Sequence, residues 1–245
     1  MDSDYIFGRN TVLEAVQSDR DINKIWIAEG SQKGPVQQVI RKAKEKRIVL
    51  QFVPRKKLDE MVEGNHQGVV AQVAAYKYFS LDELFQRAEE RNEEPFFLIL
   101  DEIEDPQNLG SILRTADAIG VHGIIIPKRR SVGLTATVAK ASTGAIEYIP
   151  VVRVTNIART IDELKEKGLW IAGADAGGEM DYRNFDGTLP VALIIGSEGK
   201  GISRLHKEKC DFLLKLPMKG HVTSLNASVA AAILMYEIYR KRFPV

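Results

Sequence analysis

A chain of 245 residues, 44% of them apolar and with a net charge of +1, has room for one large domain or a small one beside a medium one. The near-zero charge does not announce a nucleic-acid binder, so any basic surface has to be local. A single cysteine, Cys210, excludes an internal disulfide and a cysteine-rich zinc site. It suits a reducing cytoplasm. The opening MDSDYIFGRN is acidic and has no apolar stretch, and no apolar run approaches the ~20 residues that span a bilayer. A cytoplasmic protein with no membrane partner is therefore expected.

Residues 1–75 read as a small α/β domain. Asn10 can cap a helix over 11–17, and INKIWIA (22–28) is strand-like. Pro35 suits the first turn of a helix in PVQQVIRKAKEKR. A strand over 48–53, a short helix over 56–63 and a strand over 68–73 follow. Between Arg41 and Lys57 stand eight basic residues, among them Arg41, Lys42, Arg55, Lys56 and Lys57, against the one acid Glu45. Such a run is either a solvated helix face or a phosphate-binding patch. Residues 76–95 look like a connector, with an acidic helix whose Ser80 and Glu83 fit a capping box.

From 96 to 245 the pattern changes. Strands are expected over 96–100, 123–127, 148–152, 169–174, 191–195 and 212–216, with helices between them, including a polar one over 135–142 and another over 156–167. Near-continuous apolar strands separated by helices mean a parallel sheet of about six strands covered on both faces.

Three stretches could carry chemistry. In DEIEDPQNLGSILRTADAIG, Asn108 can cap a helix whose buried stripe is Leu109, Ile112, Leu113 and Ala116. Arg114 points away from that stripe. It is either an exposed arginine or, at the carboxyl end of a strand, a phosphate ligand, for which its planar fork is suited. In VALIIGSEGKGIS the glycines mark tight turns or close approach to a ligand, but neither GxxxxGK[ST] nor GxGxxG is present. Glu198 there is either a helix cap or a site carboxylate. In LPMKGHVTSLNASVAAAILMYEIYRKR, Ser224 or Thr223 can cap a helix, while Asn226 in a first turn is a poor helix former. Leu225, Val229, Ile233 and Tyr236 form an apolar stripe, for internal packing or a dimer seam. His66, His122, His206 and His221 lack metal-ligand spacing, so no metal is expected, and Cys210 reads as a small core residue.

In order and at this spacing, the three stretches resemble the motifs of the SpoU/TrmH family of RNA 2′-O-ribose methyltransferases, within the SPOUT class. The likeness covers 96–242. Residues 5–73 resemble the family's N-terminal substrate-binding domain, an L30e-like α/β fold. With the segment RVTNIARTIDELKEKGLWIAG, the whole is similar to the bacterial 23S rRNA guanosine-2′-O-methyltransferases. The resemblance implies a deep trefoil knot, against which physical reasoning alone would argue. It implies S-adenosylmethionine as methyl donor, held at Gly196, Leu216 and Leu225 with Ile195 and Gly173 nearby. It also implies a homodimer with sites at the subunit interface, and 23S rRNA or a large-subunit precursor as partner. Asn108, Arg114, Glu198, Ser224 and Asn226 carry over as catalytic residues. RNA selection would fall to the basic stretch with Arg41, Lys42, Arg55, Lys56 and Lys57. The alternatives are a relative acting on tRNA and a non-catalytic RNA-binding ribosome-assembly factor, and the intact Asn108, Arg114, Glu198, Ser224 and Asn226 argue against the second.

Overall fold

A computed structural model describes residues 4–18, 20–31, 34, 36–221 and 224–244. The chain divides into two compact units, 1–77 with 133–136, and 78–132 with 137–245. Among the described residues no helix is long and apolar enough to cross a membrane.

The first unit runs β1 (Tyr5–Phe7), α1 (Arg9–Gln17), β2 (Ile22–Ala28), α2 (Val36–Glu45), β3 (Leu50–Val53), α3 (Arg55–Met61) and β4 (Val69–Val73). Its sheet has the order β1-β4-β2-β3, with β2 and β3 parallel and the other pairs antiparallel. Successive side chains of β2 face opposite ways. Ile25 and Ile27 pack with Val12 and Val16 of α1 and Val36, Val39 and Ala43 of α2. Trp26 and Ala28 pack with Leu58 of α3. Helices α2 and α3 thus cover opposite faces of the sheet. Asn10 does not cap α1. The helix starts sooner, after Gly8 at φ +91°, a conformation that lets the chain turn straight out of β1. Pro35 lies outside the described residues.

The second unit opens with α4 (Leu81–Arg91), capped by Ser80 and Glu83 in a reciprocal box. The stretch that reads as a connector therefore carries a packed helix: Leu84 sits in the core beside Phe97, Ile99 and Ile125. There follow β5 (Phe96–Asp101), α5 (Pro106–Ile119), β6 (Gly123–Pro127), α6 (Ala136–Ser142), β7 (Val151–Val154), α7 (Ile157–Glu166), β8 (Trp170–Ala174), β9 (Met180–Asp181), β10 (Val191–Gly196), α8 (Arg204–Glu208), β11 (Phe212–Lys215) and α9 (Ala227–Arg242). The sheet has seven strands, in the order β7-β6-β5-β10-β8-β11-β9. Every pair is parallel. The strand beyond the expected six is the short edge β9, too brief to leave a hydrophobic signature. Strand β7 starts later than expected because Pro150 cannot donate to a ladder; Ala145–Glu147 form a 3-10 turn and Tyr148 is 65% exposed.

Strand β10 lies between β5 and β8, which precede it in sequence. The chain therefore changes direction across the sheet here, and an open parallel sheet binds ligands at the carboxyl ends around such a point. Helices α5 and α9 pack together. Helix α9 buries Ala227, Ala231, Leu234, Met235 and Ile238 and leaves Val229, Tyr236 and Tyr239 exposed. At its end Arg242 donates to the carbonyls of Gly187 (2.9 Å), Leu189 (2.8 Å) and Pro95 (3.2 Å), fastening the helix to the starts of β10 and β5.

Candidate active site

The loops after β5, β8, β10 and β11 meet at the carboxyl edge of the second unit's sheet. After β5, Asp105 caps α5 by accepting from Gln107 N at 2.9 Å, and Pro106 fills the first helical position. This Asp-Pro pair is the capping signal in the sequence. Asn108 is consequently inside the helix, not at its cap, and it is buried, which leaves its amide for tertiary contacts.

After β10 the chain doubles back. Ser197 and Gly201 form an antiparallel bridge. A Cβ on Gly196 would stand 2.0 Å from the Gly201 carbonyl carbon, so only glycine fits. The loop is anchored from below by Asp101 at the end of β5, which accepts from Ser203 N at 2.8 Å and contacts His206 Nδ1 at 2.7 Å. Burial works against the Asp101 carboxylate, but these two partners hold its pKa below the usual carboxylate value.

Three sequence-distant side chains then join. Asn108 Nδ2 donates to Glu198 Oε1 at 3.1 Å, Asn226 Nδ2 donates to Asn108 Oδ1 at 3.0 Å, and Asn226 Nδ2 also donates to Glu198 Oε1. Asn226 is itself the N-cap of α9, its Oδ1 accepting from Ser228 N at 2.9 Å and Val229 N at 3.3 Å. The capping roles left open in the sequence are thereby decided: Asn226, not Ser224, caps α9, and Glu198 does not cap α8, whose N-cap is Ser203, but accepts from Asn108 and Asn226. Thr223 lies outside the described residues.

Beside this cluster of amides opens a cleft of about 720 Å³. Ile195, Gly196, Leu216 and Leu225 line it, with Glu198 and Ser224. Gly173 does not line it. That residue lies behind the wall, where a Cβ would meet Cys210 Sγ at 2.7 Å and Ile202 Cδ1 at 2.9 Å. Sequence reasoning misses Asp175 and Lys207, which pair across the same cleft, because nothing in their local spacing links the end of β8 to α8. A second groove, of about 270 Å³, is lined by Glu102, Glu104, Asp105, Asn108, Ser197, Glu198 and Lys200. Arg114 is exposed on α5, lines neither cavity and makes no hydrogen bond or ion pair with the described residues. Cys210 is half-buried, and burial pushes its thiol up to about 12, which suits a packing residue and not a nucleophile. No cluster of potential metal ligands occurs among the described residues.

The basic stretch of the first unit is not one patch. Arg41 and Lys42 lie on α2 and share Glu45, at 3.9 and 2.8 Å. Arg55, Lys56 and Lys57 lie on α3, across the sheet. The α3 face also carries Trp26, with Tyr5 at 5.9 Å between ring centroids and Lys24 Nζ 5.1 Å from the indole.

Residues 95–236 match the SpoU rRNA Methylase family, and residues 5–79 match a domain described as RNA 2′-O ribose methyltransferase substrate binding. A protein of Bacillus subtilis (strain 168), assigned to the TrmH family of tRNA/rRNA methyltransferases, is 68% identical over 99% of this chain and 97% of its own length. Among solved structures, the SpoU methyltransferase AviRb from Streptomyces viridochromogenes in complex with AdoMet is 27% identical, with a TM-score of 0.62 over 97% of this chain and 90% of that one. An AdoMet-bound rRNA methyltransferase from Sinorhizobium meliloti is also 27% identical, with a TM-score of 0.60 over 96% of this chain and 86% of that one. The family match spans more than half of the sequence, and the chain belongs to the SpoU/TrmH family of RNA methyltransferases.

Proposed function

We propose that this protein transfers a methyl group from S-adenosylmethionine to the ribose 2′-hydroxyl of a guanosine in 23S rRNA or its large-subunit precursor. The observation that carries the reading is the bonding of Asn108, Glu198 and Asn226, one from each motif, at the mouth of a cleft on the carboxyl edge of the sheet.

The cleft suits the cofactor. Ile195, Leu214, Leu216 and Leu225 offer apolar surface to an adenine, and the backbone of the loop 196–201 comes close because Gly196 has no side chain. Asp175 and Lys207 offer one charge of each sign to an amino-acid headgroup. Bound there, S-adenosylmethionine supplies an already activated methyl group. What remains for the protein is to hold the ribose oxygen in line, and positioning of that kind supplies much of the rate. Asn108, Ser224 and Asn226 orient the ribose and phosphate. Arg114 grips the target's phosphate; neutralising a guanidinium at pH 7 costs at least ~7 kcal/mol, so it serves as a cation and not as the base. The exposed Leu225, Val229, Tyr236 and Tyr239 support a homodimer that completes the site. The placing of β10 between β5 and β8 supports the knot that the family resemblance implies. Free Cys210 fits a reducing cytoplasm.

For the RNA interaction, the α3 face of the first unit combines Arg55, Lys56 and Lys57 with the half-buried pair Tyr5 and Trp26, a combination that suits unstacked nucleotides. The test is transfer of labelled methyl to bulk RNA from a strain lacking the gene, with Arg114→Ala alongside. Label in large-subunit rRNA, lost in the variant, is expected. Label in tRNA would keep the chemistry and overturn the substrate.

A further inference from the structure

The two cavities at the carboxyl edge share a wall, and three residues line both: Ser197, Glu198 and Lys200. If the larger holds the cofactor, the methyl acceptor oxygen has to sit where the two spaces meet. Whatever takes its proton has to face that junction. Of the three residues, Lys200 as an ammonium is a donor only, and Ser197 has no charge to attract a proton. Glu198 is an exposed carboxylate whose Oε1 is held by Asn108 and Asn226, while Oε2 makes no hydrogen bond with the described residues. One oxygen is fixed and the other is open to a ligand.

We propose that Glu198 is the proton acceptor of the methyl transfer. This rests on the reading above. The 2′ O–H bond breaks and its proton goes to Glu198 Oε2. The oxygen's electron pair forms the new bond to the methyl carbon, and the sulfur–carbon bond breaks with its pair left on sulfur, which passes from sulfonium to neutral thioether. The proton then leaves Glu198 for solvent, restoring the carboxylate. Asn108 and Asn226 are positioning residues that aim it.

The test turns on Glu198→Gln, which keeps an amide oxygen for the two asparagine donors and loses the anion. Single-turnover methyl transfer should fall about 10²–10⁴-fold. Binding of S-adenosylhomocysteine, followed by calorimetry, should stay within about threefold of wild type, because the apolar lining is untouched. In Glu198→Ala, added formate should restore transfer in proportion to its concentration, and formamide should not. A Gln variant that keeps the wild-type rate overturns the assignment. So does an Ala variant that formate does not restore, since loop support alone would then explain the loss. A wild-type protein that binds S-adenosylhomocysteine yet methylates no RNA overturns the underlying reading, and the assignment with it.

Discussion

Asn226 does two jobs with one side chain. Its oxygen caps α9 and its nitrogen reaches Glu198 and Asn108. The two can be separated. Asn226→Ala should lose about 1 kcal/mol of stability with the cap and about a hundredfold in methyl transfer as the carboxylate loses its aim. Asn226→Ser keeps a capping oxygen and should recover the melting temperature without recovering the rate. Equal recovery of both would mean that the asparagine matters only to the helix. At this scale the sequence is readable in type and not in role. Asn108 can be seen as a helix-start residue, but its burial is decided by α9 and the glycine loop, which lie far along the chain. Asp105-Pro106 is legible in principle, because cap and first-turn proline are both local. Arg114 can be placed on a polar face by periodicity, and it lies there, exposed.

At the scale of elements, what the sequence shows best is what short-range physics decides. The capping box of α4 and the strands β2 and β6 fall where pattern puts them. What it hides is side. Arg41 to Lys57 is continuous in sequence, yet β3 runs between the two helices and sends them to opposite faces. The faces therefore make different predictions. Reversing Lys56 and Lys57 to glutamate should weaken RNA binding and flatten the slope of log affinity against log salt by about 0.7–0.9 for each phosphate no longer neutralised. Reversing Arg41 and Lys42, which lie on the opposite face, should leave the slope unchanged. The opposite pattern would move the RNA to the α2 face.

At the scale of the whole molecule, stability should depend on acid through His122. This ring is buried between strand and helix ends. Its Nδ1 accepts from Phe96 N at 3.0 Å, which leaves Nε2–H to donate to Glu93 at 3.0 Å. Burial, with Arg91, Arg242 and Arg87 nearby, lowers its pKa from 6.5 to about 4. The unfolded chain thus binds a proton that the folded chain refuses between those two values. Stability falls as pH drops through that window, by about 2 kcal/mol between pH 7 and 5. Unfolding of His122→Asn at the two pH values should show a loss smaller by that amount. Equal losses would mean that the ring is protonated in place.

The position of β10 also bears on how the chain is made. Strands β5 and β8 do not pair with each other; β10, which is synthesised after both, lies between them and pairs with each. Such long-range pairing folds slowly. During translation the growing second unit holds the partial sheet β5-β6-β7 with one edge open, and β8 without a partner strand, until Val191–Gly196 emerges. Open strand edges invite pairing with other chains. A message cut short before that point would therefore yield not a weakened enzyme but an aggregation-prone fragment, for chaperones and proteases to remove.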